Sequence, residues 1–178
     1  MKQNSELMGG VNLSEFTNRL KKEDVRYANL SKSLQIIYWV LAPTYLILTI
    51  IQIINTSPVV DIIGSFCLFL AMLIFAVLFR YYSKDYKNVD YSQTTLVMLK
   101  KAAYRYKPFR LSVLWALLGA LLVYVSFHIN SSLSDRGASV FLGSIGLGVI
   151  IGFIIWWIRY KPLYEGARKL IREIEEKN

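Results

Sequence analysis

Charge is absent from more than half of the apolar sequence in this chain. Four runs, Leu34–Asn55, Ile62–Phe79, Leu111–Asn130 and Ala138–Ile158, hold no Lys, Arg, Asp or Glu, although the 178 residues carry 21 basic and 12 acidic side chains. Cysteine is nearly absent too. Cys67 is alone and lies inside the second run, so it forms no intrachain disulfide and says nothing about redox compartment. One cysteine with one histidine, His128, leaves no protein-only zinc site, which needs three or four ligands. Without charged groups in the apolar runs there is nothing there to hold a proton or ion, as coupled transport requires. Gly-x-Ser-x-Gly, His-Glu-x-x-His, the phosphate loop and the dinucleotide-binding glycine pattern are all missing, so no catalytic set is named and no cofactor is expected.

What remains is membrane architecture. Each run is long enough to cross a hydrocarbon core, which takes roughly 20 helical residues. Only helices close their backbone hydrogen bonds within one segment there. The predicted fold is therefore an all-α integral membrane protein of four transmembrane helices arranged as two hairpins, with cytoplasmic amphipathic helices. Its segments are 1–33 (N-terminal amphipathic helix), 34–79 (hairpin 1), 80–110 (basic loop and helix), 111–158 (hairpin 2) and 159–178 (C-terminal helix).

Basic residues set the orientation. Six precede Leu34, eight lie in Arg80–Arg110 and six follow from Arg159, whereas the Thr56–Asp61 loop has none and Ser131–Gly137 only Arg136. Lys and Arg collect in cytoplasmic loops, which predicts an inner-membrane protein with both termini and the central loop in the cytoplasm. The first 33 residues do not read as a cleavable signal, because the apolar run after them is too long and lacks a small-x-small site. The net charge of +9 is then explained by topology, with anionic headgroups as the default partner, about 1 kcal/mol per juxtamembrane cation. Nucleic acid is not expected.

Three cytoplasmic helices are predicted. Asn12 with Glu15 has the form of a capping box, followed by Leu13, Phe16, Leu20, Tyr27, Leu30 and Leu34 at helical spacing, with Glu23 interrupting the stripe. This helix can run straight into the first span, and the Met-Gly-Gly stretch before Asn12 reads as a frayed terminus. Asp90 with Gln93 predicts the start of a second helix, whose face Leu96, Leu99, Ala103 and Tyr106 can lie along the membrane. Leu163, Ala167, Leu170, Ile171 and Ile174 form one face of the last, which is too short to stand alone and needs the bundle, lipid or a partner.

A tetrapeptide recurs: Arg105-Tyr106-Lys107-Pro108 before the third span and Arg159-Tyr160-Lys161-Pro162 after the fourth. The bland reading is a lipid interface, with Arg and Lys snorkelling, Tyr at headgroup level and Pro bounding a helix. The sharper reading is a dedicated phosphoinositide-like or nucleic-acid site.

Within the spans, Ser144, Gly148 and Gly152 recur every four residues, as do Ser112, Ala116 and Ala120. These small-residue faces predict contact between the third and fourth spans, or else a homo-oligomer seam through the fourth. The first span carries a polar stripe, Gln35, Tyr38, Ala42, Tyr45, Thr49, Gln52 and Thr56, beside the helix-bending Pro43. It either bonds to neighbouring helices or lines a water path in an oligomer. His128, near the outer end of the third span, reads as an interfacial or bundle-bonded residue or as a pH sensor.

With its amphipathic leader, its Arg80-Tyr81-Tyr82 stretch, its Leu96–Phe109 helix and its Arg159-Tyr160-Lys161-Pro162 end, the layout resembles small four-span bacterial membrane proteins encoded beside extracytoplasmic-function sigma factors. Such proteins are taken to act as membrane-bound anti-sigma partners. The leader lacks the zinc-ligand set of one anti-sigma class. The expectation is a non-enzymatic protein whose cytoplasmic segments tether or regulate a soluble partner, with Phe16, Leu20, Tyr27 and Leu30 as the docking face. A homo-oligomeric pore or membrane-disturbing effector, and a structural subunit of a larger membrane complex, are the alternatives.

Overall fold

The computed structural model describes residues 7–8, 11–91, 93–107, 110–129 and 135–176. Leu7–Met8 (β1) pairs antiparallel with Val11–Asn12 (β2) where a frayed terminus was expected, Leu7 opposite Asn12 and Met8 opposite Val11. Gly9 and Gly10 lie outside the described residues, as does the Asn12 side chain that would close the capping box. Pro108, Phe109, Asn130 and 131–134 of the second outer loop also lie outside them. Most of the other described residues are helical: α1 (Leu13–Ile54), α2 (Val59–Lys87), α3 (Thr95–Arg105), α4 (Ser112–Ile129), α5 (Asp135–Ile155) and α6 (Lys161–Glu175). Among the described residues, four stretches are long and apolar enough to cross a membrane: α1, α2, α4 and Gly146–Glu175. The chain thus has the helices of a multi-pass membrane protein.

The leader and the first span are one helix of 42 residues. Pro43 sits in it without breaking it. α1 ends in a Schellman turn: Ser57 N–H donates to the Gln52 carbonyl and Thr56 N–H to that of Ile53, with Thr56 left-handed at φ 51°. Pro58 then starts α2, which folds back along α1. α3 begins at Thr95, not at Asp90. The Asp90 and Gln93 side chains do bond, at 3.3 Å, but within the turn that precedes the helix.

α5 and α6 join through a π-helical turn, Trp156–Tyr160, whose closing bond runs from Lys161 N–H back five residues to Trp156. Pro162 explains it: its ring has no N–H and clashes with the carbonyl four residues earlier, so the helix widens just ahead of it. The proline widens the helix and does not end it.

Two clusters organise the packing. In the spans, Leu68, Ala71 and Val123 are buried with Tyr45, Met72, Phe75, Leu122 and Phe127 around them. The larger cluster lies at the other end and draws on all three predicted cytoplasmic segments: Phe16, Leu20 and Ala28 from α1, Tyr86 from α2, Met98, Leu99 and Ala102 from α3, and Leu163, Ala167 and Leu170 from α6. These make a four-helix module in which the apolar face of α3 meets α6 and not a membrane surface. α6 hides its stripe in the same way, with Leu163, Ala167 and Leu170 each 0–1% exposed.

The small-residue faces of α4 and α5 do not meet. Ser112 bonds the Tyr82 hydroxyl at 2.7 Å, and Gly119 seats the Phe75 ring, whose Cζ lies 2.8 Å from where a Cβ would stand. The aromatic rings of α2 have taken the small face of α4, where Ala116 and Ala120 are half-buried. On α5, Ser144 is exposed and bonds its own helix at Val140, while a Cβ at Gly143, Gly146, Gly148 or Gly152 would meet nothing within 4 Å. α5 still touches α4, but not through its small-residue face.

Gly166 is the tightest point of the module, a Cβ there falling 2.8 Å from the Phe16 ring. Gly166→Leu overpacks this contact and is expected to cost about 1–3 kcal/mol. Thermal unfolding of the detergent-solubilised protein reads this as a lower midpoint; an unchanged midpoint would show that the α1–α6 contact is absent.

Candidate functional site

Asp24 is the polar centre of the module. It occupies a core position of α1 between Leu20 and Ala28 and is 1% exposed. Both oxygens are occupied: Oδ2 accepts from Arg105 Nη2 at 2.9 Å and from the Tyr91 hydroxyl at 2.6 Å, and Oδ1 from the Tyr106 hydroxyl at 2.6 Å. The Tyr86 hydroxyl donates to the Arg105 carbonyl at 3.0 Å, and Trp156 Nε1 to that of Tyr106 at 3.1 Å. One carboxylate therefore ties the leader to the central loop, and the loop in turn to the start of the π-turn.

The repeated tetrapeptide comes together here. Arg105 from the first copy pairs with Asp24, and Arg159 from the second with Glu23 at 2.7 Å, so two arginines of like sequence grip adjacent acids. The tyrosines of the two copies, Tyr106 and Tyr160, stack at 5.5 Å with 20° between planes. Tyr27 inserts among Tyr82, Tyr86 and Tyr160 at centroid distances of 6.3, 4.4 and 5.9 Å. Below these rings lies a cavity of about 340 Å³, reached by Lys107, Arg110, Gly152 and Trp156.

This corrects the interface reading of both arginines. Arg105 and Tyr106 are buried, not snorkelling, because Asp24 supplies the counter-charge inside the module. Arg159 is turned to Glu23 for the same reason. Of the six Arg, Tyr and Lys residues in the two copies, Lys107 is exposed as an interface residue would be, while Lys161 lies 3.5 Å over the Trp157 ring and 3.8 Å from Glu165.

The proposed docking face is likewise spent within the chain. Phe16 and Leu20 are buried under α6 and α3, Tyr27 is half-buried among the tyrosines, and Leu30 alone is free, at 56% exposure. The first-span stripe divides too. Tyr38 stacks on Phe79 at 5.5 Å, Tyr45 joins the span core, and Thr49 bonds back to Tyr45 at 2.8 Å. Gln52 Oε1 accepts from Ser65 at 2.6 Å, and Gln35 is half-buried. His128 stacks on Tyr124, one turn earlier, at 5.9 Å. Among the described residues no group of three or more His, Cys, Asp or Glu is placed to hold a metal.

Reading the sequence alone missed Asp24, Tyr86 and Tyr91. The available signal was an acid in register with Leu20, Ala28 and Ser31, at a place where the stripe needed an apolar residue.

The tyrosines are held neutral. Burial, then repulsion from neighbouring phenols, pushes Tyr27 up to about 12. Burial raises Tyr86, Tyr91 and Tyr106 further, helped for Tyr91 and Tyr106 by the Asp24 charge and its hydrogen bonds, and burial with Glu23 raises Tyr160. The network ties helices together, with the Tyr86, Tyr91 and Tyr106 hydroxyls as donors. Compared with models of known protein families, with curated proteins and with solved structures, the chain matches none.

Asp24→Ala leaves Arg105 buried without a counter-charge and is expected to cost about 3–5 kcal/mol, and the paired change Asp24→Leu with Arg105→Met less. Protease resistance of the module in detergent measures both; equal losses would deny the coupling. In alkaline titration the sign follows from the raised phenols. Their contribution is complete below the unfolded phenol value of about 10 and is lost as pH climbs through the folded values. Absorbance at 295 nm should show these five tyrosines ionising only as the module opens; early ionisation of all twelve would contradict the burial.

Proposed function

We propose that this chain is a non-catalytic, four-span protein of a bacterial inner membrane, with termini and central loop in the cytoplasm, whose cytoplasmic module holds a soluble regulatory partner. The asymmetry of basic residues supports the orientation. The single observation that carries the reading is the module: all three basic segments contribute to one core, built around the leader helix.

The burial of Phe16 and Leu20 alters how a partner docks. α6 packs chiefly on α3 and meets the leader at Phe16, laying its apolar face into the module in the way many regulatory proteins receive an amphipathic helix. A partner helix takes the place of α6, and the competition between them sets when the partner is held. Such a mechanism suits the anti-sigma role implied by the resemblance, since a transcription factor kept at the membrane is kept from its promoter.

A second reading has an observation of its own. The open face Ser144, Gly148 and Gly152 on α5 suits close helix approach, which favours a homo-oligomer or a structural subunit of a membrane complex. The pore reading has less support, because Thr49 and Gln52 make their hydrogen bonds within the α1–α2 pair.

Two variants with opposite effects test the tether. Leu170→Asp loosens α6 and should increase recovery of a bound cytoplasmic protein from native cells, whereas Phe16→Asp with Leu20→Asp should abolish it. Quantitative mass spectrometry of the purified full-length protein reads both. Recovery of the same proteins at the same level with all three versions would reject the tether.

A further inference from the structure

Arg110 stands one residue before the apolar run of α4, and its guanidinium is only partly satisfied. Nη2 donates to Asp85 at 2.9 Å and lies 3.5 Å from the Tyr81 hydroxyl. Nε and Nη1 are buried with no hydrogen-bond partner among the described residues, and the side chain is 7% exposed. The rings of Tyr104, Tyr82 and Tyr81 surround the cation at 4.9, 5.7 and 5.9 Å from their centres. An aromatic face offsets part of the cost of a buried cation, yet two strong N–H donors without an acceptor remain expensive.

A groove of about 530 Å³ opens beside this cation, between α2 and α4. Leu73, Val77, Leu78, Leu111 and Trp115 wall it, and Tyr81, Tyr104 and Ser112 sit with Arg110 at its polar end. Its size is that of small-molecule sites, roughly 300–1,000 Å³. Val77, Leu111 and Trp115 are exposed at 51, 77 and 57%, so the groove faces outward along the span, where lipid tails would lie.

We propose that this groove holds one acyl chain of an anionic phospholipid, with the phosphate on the guanidinium of Arg110. Phosphate oxygens are the acceptors that a planar guanidinium binds best. Tyr104, 57% exposed, covers the cation from outside and swings aside to admit them. Asp85 keeps Nη2, while Arg80 and Lys84, both exposed toward the same end of α2, add positive charge there. The apolar wall selects a lipid over a free phosphate, and the charge selects an anionic headgroup over a zwitterionic one. The inference rests on the membrane insertion proposed above and is independent of any soluble partner.

The test uses the full chain in mild detergent, with native mass spectrometry and three probes: dioleoyl phosphatidylglycerol, dioleoyl phosphatidylcholine and inorganic phosphate. One phosphatidylglycerol should bind about 10-fold more tightly than phosphatidylcholine, because both offer Arg110 the same phosphodiester but only the second brings a choline cation against the basic end of the groove. Arg110→Gln should remove that preference, and Val77→Trp, which fills the groove and leaves Arg110 in place, should weaken both lipids. Equal binding of the two lipids by the unaltered protein overturns the proposal, as does undiminished phosphatidylglycerol binding by Val77→Trp or displacement of the lipid by inorganic phosphate alone. Should Arg110→Gln not fold, the lipid preference and Val77→Trp still decide. Alkaline carbonate separates the two failures. Release from membranes sinks insertion itself, whereas retention without lipid preference sinks only this site.

Discussion

A buried carboxylate, Asp24, paired with a buried guanidinium, Arg105, is the constraint on which the rest of the four-helix module depends. The two are 81 residues apart and 2.9 Å from each other. Desolvating them costs several kcal/mol per ion, and the pairing with two phenol donors offsets that only while all the partners stay in place. The network therefore contributes less to net stability than to uniqueness. Leu20, Leu99 and Leu163 could slide past one another at little cost, but Asp24 admits one register.

The repeated Arg-Tyr-Lys-Pro shows how one short peptide serves two junctions. In each copy the arginine reaches an acid of α1 and the tyrosine joins the same stack, while the second proline widens the turn that carries α5 into α6. The module is thereby bound to three of the four spans: α1 and α2 enter it directly, and α6 is α5 continued. α4 reaches it through the Tyr82–Ser112 bond.

The four spans were legible in the sequence because lipid imposes a compositional rule that acts residue by residue, and no tertiary contact is needed to see it. The leader stripe was legible as periodicity, and so was its fusion with the first span. What covers that stripe was not. Glu23 looked like a flaw in the apolar face, and Asp24 went unremarked, because the arginines that neutralise them come from 81 and 136 residues away. The small stripes of α4 and α5 misled for a related reason: small residues mark a close approach without naming the partner, and Phe75 and Tyr82 had a stronger claim on α4. Asp90 and Gln93 had the spacing of a cap and formed a bond, yet the helix waited for Thr95.

The unbroken α1 helix makes the protein a ruler. About 20 residues of it precede the first apolar run, which at 1.5 Å per residue is roughly 30 Å of rod continuing beyond that run. No hinge separates that rod from the span, and α5 reaches the module through a turn that stays helical. In the proposed topology, a partner held by the module would be confined to a shell one small domain thick beneath the membrane. Its rotation and tilt are those of the spans themselves.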